Sequence, residues 1–291
     1  MAWLQYRLAT NAAAAPLCED ALLELGAAAV TLEDNADQPL FEQTQKEHQL
    51  WQQTRVTGLF PADTDVAALW QALPDELCAQ CHPHAEILED KDWQREWMQH
   101  YQPLQYAPDL WICPSWLEPP QPDAINIMLD PGLAFGTGTH PTTAMCLRLL
   151  ATLDLNNKRV TDFGCGSGVL AIGALLLGAS TALAVDTDPQ ALVATRSNAQ
   201  CNQIEAARLQ VMLPIDLDGD EQADIVVANI LAGPLCELAD TLCDQLPPGG
   251  VLILSGILQE QVPGIQARYP LPLRIAAQQD GWVALQGERS D

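Results

Sequence analysis

Apolar and polar residues alternate from Trp3 to Leu8, with Leu4, Tyr6 and Leu8 separated by Gln5 and Arg7, and this period of two predicts a half-buried strand. From Leu17 to Leu25 the apolar positions recur at helical spacing and stop at Gly26, which predicts a helix with a glycine just past its end. Ala27 to Leu32 and residues 51–60 read as further strands, Thr64 to Leu73 as a second helix, and Ala85 to Glu89 as a last short strand. These elements make residues 1–88 an independent α+β unit without a catalytic motif, and binding is its expected role. Trp93, Trp97 and Tyr101 recur four residues apart in a polar run, one face of a linker helix over 89–102.

Past Pro103 the pattern becomes α/β, and from residue 159 strands alternate with helices to the end. Residues 103–291 are therefore expected to form one α/β domain around a mostly parallel sheet. A length of 291 residues agrees with two domains, and 48% apolar residues supply a core. Gly164 to Val185 carries no charge and is about long enough to span a bilayer, but its glycines suit loop, short helix, turn and buried strand better. With nothing at the N-terminus that reads as a targeting signal, a soluble cytoplasmic protein is expected.

Charge and cysteines narrow the partners. The chain has 38 Asp and Glu against 13 Lys and Arg, a net charge of −25. So negative a surface repels phosphate and favours a basic protein over nucleic acid, although adaptation to a salty cytoplasm produces the same composition. The acidity is spread evenly, −12 over residues 1–101 and −13 over 102–291. Nine cysteines without an export signal read as reduced thiols. Cys78-Ala79-Gln80-Cys81-His82 matches the c-type haem attachment pattern, with His84 nearby, but haem needs export and zinc needs a second ligand pair, so no metal is expected.

Arg159 to Phe163 is a buried-strand pattern leading into Gly164-Cys165-Gly166-Ser167-Gly168 and the helical run from Val169 to Leu177. A dinucleotide fingerprint needs a sixth-position glycine where Val169 stands. The G-x-G-x-G spacing, with Asp162 two residues before it, resembles the first motif of class I S-adenosylmethionine-dependent methyltransferases. The charge sense agrees: a pyrophosphate wants no carboxylate nearby, whereas Asp162 can hold the cofactor's ammonium group directly or through water. Gly164, Gly166 and Gly168 let the backbone pass close to a ligand.

Asp186, at the end of the next strand and 22 residues after Gly164, is placed to accept both ribose hydroxyls. Asp188-Pro189 reads as the N-cap and first residue of the following helix. The fourth strand, Ala223 to Ala228, runs into Asn229, whose strand-end position aims it at the destination of the methyl group. Methyltransferases of planar nitrogens follow this position with two prolines and an aromatic. The aromatic is missing here, which points to an sp³ amine acceptor.

Leu129 to Thr143 (LDPGLAFGTGTHPTT), with Trp111-Ile112-Cys113-Pro114-Ser115-Trp116 and Val227 to Pro234, resembles the signature of the ribosomal protein L-eleven (L11) methyltransferase family. The likeness covers most of residues 90–260, and the N-terminal part matches in length and pattern. It implies an α/β fold with a Rossmann-like class I methyltransferase domain on a seven-stranded sheet, preceded by a smaller recognition domain and a linker helix. It also implies S-adenosylmethionine as cofactor and L11, free or ribosome-bound, as partner. The acceptors would be the N-terminal α-amine and lysine ε-amines, methylated up to the trimethyl form. Phe135 would lie against the cofactor and Thr143 would contact its methionine part, beside Gly164, Asp186 and Asn229. Asn229 is the expected catalytic group, and His140 is read as a helix cap rather than a base. Another protein or a small amine as acceptor, and a non-catalytic ribosome-associated binding module, remain alternatives.

Overall fold

The computed structural model describes residues 2–36, 51–88, 101–130, 136, 138–217, 219 and 221–290. The chain divides into two units, residues 1–100 and 101–291. The expected linker helix falls almost wholly on residues 89–100, outside the described residues, and only Tyr101 of its aromatic stripe is described.

In the first unit, strands β1 (Trp3–Asn11), β2 (Ala29–Asp34), β3 (Gln53–Pro61) and β4 (His82–Leu88) form an antiparallel sheet in the order β2-β3-β1-β4. The alternation of β1 works as read: Leu4, Tyr6 and Leu8 are buried on one face, with Tyr6 opposite Gly58 and Ala85. Helix α1 (Ala15–Glu24) buries Ala15, Cys18 and Leu22 on that core, and Gly26 follows it with a left-handed φ of 92°. Helix α2 (Val66–Ala72) starts at Asp65, whose carboxylate accepts the Ala67 and Ala68 N–H groups. A single turn, α3 (Asp75–Cys78), follows, too short to leave a periodic signal. Strand β4 starts three residues before Ala85, because pairing with β1 carries His82 and Pro83 into the ladder.

The second unit opens with a small sheet absent from the sequence reading: β5 (Leu104–Ala107), β6 (Leu110–Cys113) and β7 (Ile125–Met128), in the order β5-β6-β7. Strands of four residues are too short to carry a clear periodicity. The main sheet has seven strands in the order β10-β9-β8-β11-β12-β14-β13. These are β8 (Arg159–Phe163), β9 (Thr181–Val185), β10 (Leu209–Met212), β11 (Ile225–Asn229), β12 (Val251–Leu258), β13 (Arg274–Gln279) and β14 (Trp282–Glu288). All neighbours from β10 to β12 are parallel, and β14 is antiparallel to both β12 and β13.

Helices cover both faces, which is why the central strands read as continuous apolar runs rather than alternations. On one face α4 (Pro141–Thr152) and α5 (Val169–Leu176) bring Leu147, Leu150, Ile172 and Leu175 against Val160, Val227 and Ile253. Opposite, α7 (Ala232–Glu237), α8 (Ala239–Asp244) and α9 (Val262–Arg268) bring Leu235, Leu242 and Ile265 against Phe163 and Leu254. Helix α6 (Pro189–Cys201) connects β9 to β10. From β8 the chain adds β9 and β10 on one side, and β11 and β12 on the other. This reversal opens a crevice at the carboxyl ends of β8, β9 and β11. The uncharged stretch from Gly164 to Val185 is loop, two-turn helix, turn and strand, and no helix among the described residues is long and apolar enough to cross a membrane.

Candidate active site

The crevice is built around the glycine loop. Gly164, Gly166 and Gly168 have φ values of 78°, 53° and 77°, a left-handed conformation that side chains resist. Space demands glycine too: a Cβ at Gly164 would stand 2.2 Å from Ile230 Cγ2, and one at Gly168 2.6 Å from Thr195 Cγ2. Helix α6 braces the loop from behind, since Thr195 Oγ1 donates to the Gly166 carbonyl (3.0 Å) and Asn198 Nδ2 to the Ser167 carbonyl (2.8 Å). The Gly164 and Cys165 N–H groups both donate to the Val185 carbonyl, which fixes the loop to the end of β9.

That contact brings Asp186 to the loop. Its Oδ2 accepts the Gly166 N–H at 2.8 Å and its Oδ1 the Asp188 N–H at 2.9 Å. Each carboxylate oxygen can accept a second bond, so a pair of neighbouring hydroxyls fits here. Asp188 caps α6 by accepting the Gln190 N–H, with Pro189 next.

Asp162 lies on β8, 1% exposed. Its Oδ2 accepts the Ala171 N–H at 3.1 Å, and its Oδ1 has no hydrogen-bond partner among the described residues. Burial is the main reason its pKa rises from 3.8 to about 7; the Ala171 bond opposes the rise and the Asp186 charge adds to it. A buried carboxyl oxygen lacking a donor, at the base of a loop that excludes side chains, suits a ligand that brings a cation. The donor set therefore fits the amino-acid end of S-adenosylmethionine, and Asp186 fits its ribose.

Asn229 ends β11, half-buried, and its Nδ2 donates to Thr143 Oγ1 at 3.2 Å. Thr143 is 2% exposed in the first turn of α4, which starts at Pro141 as expected. With Nδ2 engaged, the Asn229 carbonyl oxygen is the side-chain atom suited to accept a hydrogen bond at the end of β11. His140 is the N-cap: its Nδ1 accepts the Thr142 N–H at 3.3 Å, and burial lowers its pKa.

Asp162, the three glycines and Asp186 thus form one connected cluster, and Thr143 and Asn229 form a bonded pair. Phe135 lies outside the described residues. Two groups went unrecognised in the sequence. Ser167 Oγ donates to the Gly136 carbonyl (2.6 Å), and buried Tyr106 donates its hydroxyl to the Gly138 carbonyl (2.5 Å). They fix Gly136 and Gly138 of the signature segment. Asp130, at the start of that segment, accepts the Ser115 N–H and hydroxyl (2.7 and 2.6 Å), which joins the Trp111–Trp116 motif to it. Among the described residues no group of three His, Cys, Asp or Glu is arranged to hold a metal.

A family model described as "Ribosomal protein L11 methyltransferase (PrmA)" matches residues 2–290. Proteins named ribosomal protein L11 methyltransferase from Teredinibacter turnerae and Pseudomonas aeruginosa are 51% and 52% identical. Each alignment covers 99% of this chain, and 97% and 99% of the relative. A solved ribosomal protein L11 methylase from Lactobacillus delbrueckii subsp. bulgaricus is 34% identical, with a TM-score of 0.59, over 66% of this chain and all of that one. The seven-stranded sheet and its glycine loop are those of a class I methyltransferase, as the first motif implied. With its whole length matched, the chain belongs to the ribosomal protein L11 methyltransferase family.

Proposed function

We propose that this protein transfers methyl groups from S-adenosylmethionine to ribosomal protein L11, at the N-terminal α-amine and at lysine ε-amines, repeatedly and up to the trimethyl form. The observation that carries the reading is the Asn229–Thr143 pair, set at the end of β11 beside the crevice that Asp162, the glycine loop and Asp186 surround.

S-adenosylmethionine supplies an electrophilic sulfonium methyl group when bound. Asp162 and the first turn of α4 at Thr143 hold its amino-acid part, Asp186 takes the ribose hydroxyls, and Gly164, Gly166 and Gly168 let the backbone approach. Phe135 is assigned to the cofactor by the family resemblance. Asn229 receives the amine: its side-chain carbonyl accepts an N–H and aims the nitrogen lone pair for in-line displacement. Catalysis rests on alignment and exclusion of water.

Residues 1–88 serve as the recognition domain, 89–102 as the linker and 103–291 as the catalytic domain, in a cytoplasmic enzyme with no direct nucleic-acid substrate. The net charge of −25 is compatible with a basic acceptor protein.

The test is labelled cofactor with a ribosomal protein extract, the labelled band then identified by mass spectrometry. L11 should carry the label. Asn229→Ala should abolish transfer while binding cofactor normally, whereas Asp186→Ala should weaken cofactor binding about a hundredfold or more, through two charge-assisted hydrogen bonds of ~1.5–3 kcal/mol each. Unchanged turnover in the Asn229 variant would overturn its role.

A further inference from the structure

The C-x-x-C stretch of the first unit is outside the site described above, and its cysteines are not arranged as the motif implies. Cys81 Sγ stands 3.3 Å from Cys18 Sγ, across 63 positions of sequence. Both side chains are buried, Cys18 on the inner face of α1 and Cys81 just ahead of β4. Cys78 Sγ is turned toward the α2 end, 3.8 Å from the Trp70 carbonyl and 3.9 Å from that of Leu73.

We infer that Cys18 and Cys81 are an oxidisable thiol pair that closes to a disulfide across the first unit, with Cys78 left as a thiol. A disulfide needs its sulfurs at about 2.05 Å, so the pair has roughly 1.3 Å to close, within reach of small side-chain rotations. The oxidant is a peroxide or a low-mass disulfide. With hydrogen peroxide, two S–H bonds and the O–O bond break, one S–S bond forms, and the two electrons and two protons leave as part of two waters. Burial restricts access to the pair, and it pushes the Cys18 thiol up to about 12, so oxidation is slow and proceeds through opening of the unit. Once formed, the bond ties α1 to the start of β4 and constrains the unfolded chain over the β2, β3, α2 and α3 segment.

The experiment treats the full-length protein with hydrogen peroxide, and in parallel with diamide. Remaining thiols are alkylated, the protein is digested after glutamate, and cross-linked peptides are read by mass spectrometry. Residues 1–19 should appear joined to residues 77–86, two hydrogens lighter than their sum, with one alkylated thiol. Cys78→Ser should keep the link. Oxidation should raise the melting midpoint of the first unit by on the order of 10 °C, reversed by dithiothreitol. A bond within 77–86 would overturn the pairing, as would loss of the link in Cys78→Ser. So would free Cys18 and Cys81 thiols after oxidation prolonged at a temperature just below the melting midpoint, long after exposed Cys201 is fully oxidised.

Discussion

Replacing Asp162 with asparagine should make the protein more stable and less able to bind its cofactor. The carboxyl is 1% exposed, with one oxygen bonded to the Ala171 N–H and the other without a partner among the described residues. Burial raises its pKa from 3.8 to about 7, so the folded state holds the proton about three pH units more tightly than the unfolded chain does. The stability gained from that proton is fully present below about pH 4 and is lost as the pH rises through about 7, a limit of about 4 kcal/mol. The neutral amide of the variant would escape this loss, although its N–H₂ group would cost ~1–3 kcal/mol where it finds no acceptor. The net is ~2 kcal/mol at pH 8, or ~4–8 °C for a unit of this size. The same substitution removes the countercharge for an ammonium group, so cofactor affinity should fall tenfold or more. In the wild type, proton and cation compete, and affinity should drop about tenfold per pH unit below 7. Thermal melting from pH 5 to 9, with calorimetric titration of S-adenosylhomocysteine, measures both effects. A lower melting midpoint for Asp162→Asn at pH 8, or an unchanged affinity with the same pH slope, would refute the assignment.

Gly164→Ala should lower the melting midpoint by ~5–10 °C, since a left-handed residue and an overlap with Ile230 together cost ~2–3 kcal/mol; circular dichroism melts would show it. Tyr106→Phe strands the Gly138 carbonyl at a cost of ~1–2 kcal/mol, read from the same melts. Ser167→Ala releases Gly136 and should raise KM for the cofactor several-fold with little change in stability, measured by steady-state kinetics. His140→Ala removes the α4 cap, ~1 kcal/mol. Because burial lowers the His140 pKa, the neutral ring's contribution is present above pH 6.5 and is lost as the pH falls through the lowered value, so the wild-type advantage in melting should vanish in acid.

Much of this was legible in the sequence because burial leaves a period. Leu4, Tyr6 and Leu8 announce β1, and the Asp188-Pro189 cap announces α6. The glycine loop and Asp186 were found by spacing, since strand, loop and helix lengths fix where a strand-end carboxylate falls. The small sheet of β5, β6 and β7 was not legible: its register is set by pairs such as Leu104 with Ile112 and Ile112 with Ile127, which meet only in three dimensions. Ser167 and Tyr106 escaped for the same reason, because their acceptors are backbone carbonyls 31 and 32 positions away. Ser167 had one signal in its favour, its place inside the glycine loop. The state of Asp162 was also hidden. A sequence shows a carboxylate at a strand end, but only the packing around it shows that the proton competes for it near neutral pH.

The site's charge and the surface's charge do different work. Thr143 and Asn229 are neutral, and the acceptor nitrogen of His140 is committed to the start of α4, so none of these three offers a base for the incoming amine. Of the proposed acceptors, a lysine would have to lose its proton before it could attack, at roughly 4 kcal/mol near pH 7, while an α-amine would lose its own at far lower cost. On that proposal, a positive sulfonium and a partly buried crevice would both favour the neutral amine, so proton loss to water during entry would suffice. On the same proposal the −25 surface would act earlier, over a Debye length of ~8–10 Å, where the acceptor is still cationic. Because that charge is divided −12 and −13 between the two parts of the sequence, it would speed encounter without choosing which amine enters. On the proposed reading, the choice of amine would fall instead to the fit of the acceptor chain and to the neutral Asn229 carbonyl proposed to receive it.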